Sequence, residues 1–418
     1  MTITQDPIAL YPLGLKLSGR AVVVVGGGAV AARRASGLVG AGALVTVVAP
    51  EAGPDLRALL ATGSVTWRER AYRSGDLADA WLVHTATGVA QVDALVAAEA
   101  EAARIWCVNA ADQAASAAWV PAVARRGDVT VTVSAGGDPR RAMALRDAVV
   151  GSLDAGSLPL RHHRRPSGTG TVHLVGGGPG DPGLITVLGR RLLAEADVVI
   201  ADRLGPRSLL GELDPEVLVI DVGKLPGHHP VPQDEINALL VEHALGGRRV
   251  VRLKGGDPYV LGRGGEEAAY CRSRGVEVEV VPGVTSAISV PAAAGIPVTH
   301  RGVAAGFTVV TGHEQLRELP GARDHTVILL MGISALAGSA DVLATGSRGE
   351  DCPVAIIEDG FGPGQRVTIG TLATIAALAE SRRVASPAVI VVGDVVTLSP
   401  HARTPRELVS TAPRKATS

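Results

Sequence analysis

Three apolar runs in this chain each end in a cluster of glycines, and this arrangement restricts the fold more than any other feature. Residues 21–25, 171–175 and 250–253 read as buried β-strands, and the glycines after them let the backbone approach a neighbour or a ligand closely. Strand and helix patterns alternate along most of the chain. The sequence therefore predicts an α/β fold with ligand loops at the carboxyl ends of its strands.

Length and composition favour a protein of two or three domains. The 418 residues are 46% hydrophobic but only 2% aromatic, which predicts cores built from Ala, Val, Leu and Ile. The formal net charge of −1 argues against nucleic-acid and membrane-surface partners. The N-terminus lacks a basic region followed by an apolar one, and the three cysteines are far apart, so we expect a cytoplasmic chain with reduced core cysteines.

The first segment predicts a dinucleotide-binding βαβ unit. Gly26, Gly28 and Ala31 form a G-x-G-x-x-A turn between a strand and a helix, where backbone amides can hold a pyrophosphate. Ala49 and Pro50 follow the second strand, where a ribose-binding acid is usual. A tight turn that binds no ligand is the alternative.

The remainder of this segment continues the alternation up to a linker. Further strands and helices are predicted at residues 81–85, 89–103, 129–133 and 140–151. Asp112 follows the strand that ends at Asn109, either as a functional carboxylate or as an Asx-type turn. Residues 152–170 read as an interdomain linker, in which His162 and His163 are a candidate metal pair or part of a solvated basic stretch.

The second segment opens with a glycine loop of a different kind. Pro179 lacks an amide hydrogen, so the loop differs from a dinucleotide turn and predicts another nucleotide-like ligand. Asp202, Lys224 and Asp257 follow three strands, and we expect the topology to bring them together. Lysine is rare in this arginine-rich chain, so Lys224 and Lys254 are candidates for positions that need a compact ammonium group.

Long motifs in the same order resemble known families. Residues 171 to about 315 resemble uroporphyrinogen-III C-methyltransferases through VGGGPGDPGLIT, ADRL, VGK, RLKGGDPYVLGRGGEE, VPGVTSAISVPAAAGIPVTHR and VTGH, and weaker similarity continues to about residue 400. The first 150 residues resemble the precorrin-2 dehydrogenase and sirohydrochlorin ferrochelatase part of siroheme synthases through VVVVGGGAVAARRASGLVGAGALVTVVAPE, VNAADQAASAAWVPAV and VTVSAGGDPRRA. The whole chain thus resembles the multifunctional siroheme synthases.

The resemblance implies a fold and a domain plan. A Rossmann-like dinucleotide-binding domain at 1–151 would precede a linker at 152–170 and a two-lobed α/β tetrapyrrole methyltransferase at 171–400, with lobes at about 171–283 and 284–400. Residues 401–418 would form a disordered tail. The family also implies a homodimer.

The activity implied is methylation of uroporphyrinogen III at two pyrrole carbons by S-adenosylmethionine, which gives precorrin-2. Oxidation by NAD and insertion of substrate Fe²⁺ would then give siroheme. Asp202 matches the proton acceptor, Lys224 the proton donor, and Asp112 the acid for dehydrogenation and metal insertion.

The binding residues implied by the resemblance form three sets. The S-adenosylmethionine set is Pro179, Gly255, Gly256, Asp257, Val260, Thr285, Ser286, Met331 and Gly360. The NAD set is Gly26, Gly28, Ala29, Val30, Ala49 and Pro50. Arg252, Arg263 and Arg301 would pair with substrate carboxylates, and an ion-pair role within the fold is the alternative for each.

Several positions depart from the family pattern. Only residues 134–168 lie where the family has a helical dimerisation and substrate-covering segment, and Gly88-Val89 replace an acidic pair. Ala135 replaces a serine, and Ala201 replaces a tyrosine. Two alternatives therefore stay open: a methyltransferase for a later cobalamin precursor, and an N-terminal domain that binds NAD or a tetrapyrrole without catalysis.

Overall fold

The computed structural model describes residues 10–158, 160–162, 168–223, 231–311, 316–319 and 321–402. Backbone contacts divide the chain into two units, Met1–Val150 and Gly151–Ser418. Three sequence predictions fall outside the described residues, namely the roles of Lys224 and His163 and the tail beyond residue 402. Within the described ranges, no helix is both long and apolar enough to cross a membrane.

The first unit is built on a parallel five-stranded sheet in the order β3-β2-β1-β4-β5. Its strands are β1 Ala21–Val25, β2 Leu44–Ala49, β3 Val65–Glu69, β4 Leu82–Thr85 and β5 Trp106–Asn109. The accompanying helices are α1 Ala29–Gly40, α2 Pro54–Ala61 and α3 Ala90–Ala102. Valines of β1 are buried in clusters on both faces of the sheet, as is usual for a parallel sheet with helices on each side.

An antiparallel ribbon and a helix follow this sheet. The ribbon pairs β6 Ala122–Arg126 with β7 Val129–Val133, and helix α4 spans Pro139–Asp154. The helix predicted at 140–151 therefore extends to Asp154, into the stretch predicted as linker. The helix continues through Gly151-Ser152 and ends just before Gly156, whose φ of +64° lies in the left-handed region that terminates helices.

The second unit contains two sheets, of which the first is wholly parallel. The order of this sheet is β10-β9-β11-β8-β12. Its strands are β8 Thr171–Gly176, β9 Val198–Ala201, β10 Leu218–Asp221, β11 Val250–Lys254 and β12 Glu277–Val281. Helices α5 Val187–Ala194, α6 Gln233–Leu245 and α7 Gly264–Arg272 connect these strands.

The second sheet is mixed, in the order β13-β14-β17-β15-β16. Its strands are β13 Gly306–Thr311, β14 His325–Leu330, β15 Pro353–Glu358, β16 Arg366–Thr371 and β17 Ala388–Val392. Helices α8 Ser286–Ala293, α9 Leu336–Leu343 and α10 Ile375–Ser381 accompany it. Because β17 is antiparallel to both β14 and β15, those two strands run in the same direction and end at the same edge. The predicted α/β class, a Rossmann-like domain followed by a two-lobed α/β domain, is confirmed.

Two described residues of the segment predicted as an interdomain linker make specific contacts within the second unit. The guanidinium of Arg161 contacts Asp197 at 3.2 Å, Asp214 at 3.3 Å and Glu216 at 2.8 Å. Gly156 lies so close to the backbone of Arg191 that a Cβ would overlap it. Within this basic stretch, Arg161 therefore forms ion pairs with three carboxylates.

Candidate active sites

The glycine turn of the first unit leaves a helix N-terminus open. Gly26 has φ +127°, and a Cβ there would overlap the carbonyl oxygen of Ala86. Gly28 is the N-cap of α1, and no side chain caps the helix. A Cβ on Gly28 would meet no atom within 4 Å, so the space in front of the first-turn amides is open. These residues fit the pyrophosphate of NAD.

Of the other predicted NAD residues, Ala29, Val30 and Pro50 are exposed beside this turn, whereas Ala49 is buried. The carbonyl of Ala49 accepts a hydrogen bond from Trp67 Nε1 at 3.0 Å. Its side chain is buried beneath the turn, close to Gly27. The NAD contact of Ala49 stays a prediction.

Sequence reasoning missed a buried carboxylate below the same turn. Asp93, on α3, accepts hydrogen bonds from the hydroxyl of Thr85 and from Thr87, whose N and Oγ1 lie 3.1 and 2.7 Å away. These bonds fix the loop that presents the Ala86 carbonyl to Gly26. An acidic residue on the inward face of a helix was the only available signal.

Asp112 lies exposed after β5, where its backbone and one carboxylate oxygen form a turn. Its N–H donates to Asn109 Oδ1 at 3.1 Å, and its own Oδ1 accepts from Ala114 N at 2.9 Å and Ala115 N at 3.3 Å. Its Oδ2 has no hydrogen-bond partner among the described residues. No group of three His, Cys, Asp or Glu side chains suited to a metal occurs in the described part of the chain.

In the second unit, three glycine segments meet at the carboxyl ends of β8, β11 and β12. Gly256 N donates to Gly178 O at 2.7 Å, and Gly178 N donates to Gly256 O at 3.2 Å. A Cβ on Gly283 would overlap Gly256 O. The junction is thus lined by backbone, because the three glycine segments are in direct contact.

Asp257 ties this junction together through both carboxylate oxygens. Its Oδ1 accepts from Tyr259 N at 2.8 Å, and its Oδ2 accepts from Gly283 N at 2.9 Å. Thr285 follows as the N-cap of α8, and its hydroxyl accepts from Ala287 N at 3.3 Å. Asp257 therefore orders the loops that surround the junction.

The other residues predicted to bind S-adenosylmethionine lie in the same loops or at the second sheet. Pro179 and Val260 are half-buried in the loops after β8 and β11, and Ser286 opens α8 next to Gly256. Met331 and Gly360 follow β14 and β15 at the shared edge of the second sheet. Gly360 is in contact with Val290 of α8, so this helix connects the loops of the two sheets. Met331 has φ +56° and a side chain directed to solvent.

The predicted proton acceptor stands at the edge of this junction. Asp202 follows β9, and its Oδ1 accepts from Leu204 N at 2.9 Å and Gly205 N at 3.1 Å. Gly255 N lies 3.3 Å from both of its oxygens. The structure therefore brings Asp202 to the glycine loop, with about a quarter of the side chain exposed.

The three predicted substrate arginines differ in their surroundings. Arg263 is exposed in a left-handed conformation and pairs with Glu266 at 2.6 Å, and this hydrogen bond lowers the pKa of the Glu266 carboxyl. Arg301 is exposed and has no hydrogen bond or ion pair with a described residue. Arg252 is buried, with 4% exposure, and donates to Glu267, Ile200 O and Leu253 O. Its predicted substrate contact is corrected to an ion pair within the fold.

Two family models match this chain, one in each unit. The family model for tetrapyrrole (corrin/porphyrin) methylases matches residues 171–376, and a model for NAD(P)-binding domains matches residues 13–122. A uroporphyrin-III-C-methyltransferase structure from Thermus thermophilus has 41% identity and a TM-score of 0.47, covering 55% of this chain and 94% of that one.

Two relatives define the relationship further. An S-adenosyl-L-methionine-dependent uroporphyrinogen III methyltransferase of Methanosarcina barkeri is 49% identical over 55% of this chain and 93% of its own length. Siroheme synthase 3 of Aeromonas hydrophila is 38% identical over 93% of this chain and 95% of its own length. The resemblance seen in the sequence motifs is confirmed, and the chain belongs to the siroheme synthase family.

Proposed function

We propose that the second unit transfers methyl groups from S-adenosylmethionine to two pyrrole carbons of uroporphyrinogen III, which gives precorrin-2. The observation that carries this proposal is the backbone-lined junction of three glycine segments with the Asp202 carboxylate at its edge. When bound there, S-adenosylmethionine supplies a methyl group on a good leaving group. The protein's task is then to orient the donor and to move protons.

Different residues orient the donor and move the protons. The Gly255-Gly256 loop and the start of α8 hold the donor, and Asp257 keeps these segments in place. Asp202 accepts the proton that the methylated ring loses, and Lys224 is proposed as the proton donor on the strength of the motif match alone. Arg263 and Arg301 are exposed and are assigned to the carboxylates of the substrate.

For the first unit we propose oxidation of precorrin-2 and insertion of substrate Fe²⁺. NAD supplies a hydride acceptor when it is bound at the Gly26–Gly28 turn. The Oδ2 oxygen of Asp112 acts as the proton acceptor for both steps. We also propose the domain limits 1–151 and 171–400, a homodimer, and a cytoplasmic location.

A stepwise incubation of the purified chain tests this function. Uroporphyrinogen III and S-adenosylmethionine should give the absorbance of precorrin-2, NAD⁺ should then give sirohydrochlorin, and Fe²⁺ should finally give siroheme. Absence of precorrin-2 in the first step would refute the methyltransferase. Precorrin-2 that persists after NAD⁺ would leave the first unit as a binding module, and products methylated at other ring positions would indicate a later cobalamin precursor.

A further inference from the structure

A buried charge cluster lies beneath the glycine loop of the second unit. Arg252 and Lys254 alternate with Leu253 on β11, so both side chains share the face of Val250, which packs under α6 and α7. Glu267 of α7 meets them there. The exposures of Arg252, Lys254 and Glu267 are 4%, 5% and 0%.

Glu267 is the centre of the cluster. Its Oε1 accepts from Arg252 Nε at 3.2 Å, from Lys254 Nζ at 3.2 Å and from Gln233 Nε2 at 3.1 Å. Its Oε2 lies 3.2 Å from Lys254 Nζ in an ion-pair contact that lacks hydrogen-bond geometry. One carboxylate therefore fixes two cationic side chains, each of which is costly to bury alone.

The cluster is directed towards the candidate catalytic carboxylate. Arg252 Nη2 lies 3.9 Å from Asp202 Oδ2, and Arg252 also donates to Leu253 O, next to the loop that carries Gly255. Two cations and one carboxylate leave a buried excess of one positive charge. The Asp202 carboxylate lies within reach of this excess charge, which attracts and orients it.

We propose that Glu267 is a positioning residue for methyl transfer, which holds Arg252 and Lys254 as a fixed pair of cations behind Asp202. This inference rests on the proposed methyltransferase activity. Burial and then Arg252 lower the pKa of Lys254, whereas Glu267 and Asp202 raise it. Loss of the Glu267 charge should therefore let Lys254 lose its proton at a lower pH. The electrostatic field at Asp202 would then change, because one of the two cations behind it becomes neutral.

The test is the pH dependence of kcat for Glu267→Gln, with S-adenosylmethionine affinity measured alongside by calorimetry. We expect kcat to fall on the order of tenfold to hundredfold while the Kd of S-adenosylmethionine stays within about threefold. The alkaline limb of the profile should move to lower pH by about one to three units, the usual effect of an adjacent opposite charge. Glu267→Asp keeps the charge and should keep the wild-type limb.

Two further variants separate this role from simple structural support. Glu267→Gln combined with Lys254→Met removes the titrating amine, so the new limb should disappear. Glu235→Gln makes the same charge change at an exposed position of α6 and should behave as wild type. An unmoved limb in Glu267→Gln would overturn the inference, while inactivity of the wild-type chain would instead reject the proposed function.

If Glu267→Gln does not fold, a second variant still tests the proposal. Lys254→Met alone leaves one cation facing Glu267, and it should lower kcat with the Kd of S-adenosylmethionine retained. Full kcat in folded Lys254→Met would equally overturn the proposal.

Discussion

Removal of the Asp257 carboxylate should weaken binding of S-adenosylmethionine by releasing the loops around the junction. The two oxygens of Asp257 accept from Tyr259 N at 2.8 Å and from Gly283 N at 2.9 Å. A hydrogen bond to a charged group contributes about 1.5–3 kcal/mol, and the lower end applies because Asp257 is only half-buried. The pair together contributes about 3 kcal/mol to the order of the loops.

In Asp257→Ala, S-adenosylmethionine must itself order these loops when it binds. Part of the roughly 3 kcal/mol that Asp257 contributes to loop order is therefore lost from the free energy of binding. At about 1.4 kcal/mol per factor of ten, we expect the Kd of S-adenosylmethionine to rise about 10- to 100-fold. Asp257→Asn keeps one acceptor oxygen and should cost about tenfold or less. Calorimetric titration of S-adenosylmethionine and of its demethylated product measures both effects.

Asp341→Asn is the matched control, because it removes an exposed carboxylate from α9 in the other lobe. Its affinity for the donor should equal that of the wild type. The reasoning would be refuted by an Asp257→Ala protein that binds the donor with wild-type affinity, because the loops would then hold their positions without the carboxylate.

Three further predictions concern other parts of the chain. Gly26→Val should abolish NAD⁺ binding, measured by fluorescence titration, because its Cβ would overlap the Ala86 carbonyl, while methyl transfer continues. Arg161→Gln should lower the free energy of unfolding by about 1–2 kcal/mol in urea titrations, because three carboxylates lose one shared partner. Burial lowers the pKa of His84 to about 4, so the unfolded chain binds the proton first as pH falls. Stability should therefore be full above about pH 6.5 and fall by about 3 kcal/mol towards pH 4, and His84→Leu should remove that dependence.

Each of these three has a result that would contradict it. NAD⁺ affinity retained in Gly26→Val would mean that the turn does not hold the dinucleotide. Arg161→Gln with the stability of Arg146→Gln, which breaks an ion pair with the exposed carboxylate of Asp147, would mean that the three-carboxylate site is not stabilising. An unchanged acid dependence in His84→Leu would place the titration on another group.

Much of the fold follows from local patterns. The strand at 21–25, the glycine turn after it and the helix to residue 40 are specified by composition over short windows, and the structure has β1 and α1 at those positions. The location of Asp202 and Asp257 at neighbouring strand ends follows from the parallel topology. The position of Asp93 depends on a tertiary contact, since α3 must bring it beneath the loop that follows β4.

Arg252 and Arg161 were assigned different roles from the sequence, yet both form ion pairs within the fold. Arg252 belongs to a conspicuous ligand motif, yet strand alternation places it on the face of Val250, beneath α6 and α7. That alternation was readable from the sequence, whereas the partner that makes burial of a guanidinium tolerable comes from a separate helix, as Glu267. Arg161 lies in a stretch that resembles a linker, and its three partners are spread over Asp197, Asp214 and Glu216. Whether a charged side chain binds a ligand or stabilises the fold depends on the opposite charges that surround it. For Arg252 and Arg161, these opposite charges come into place only when distant segments pack together.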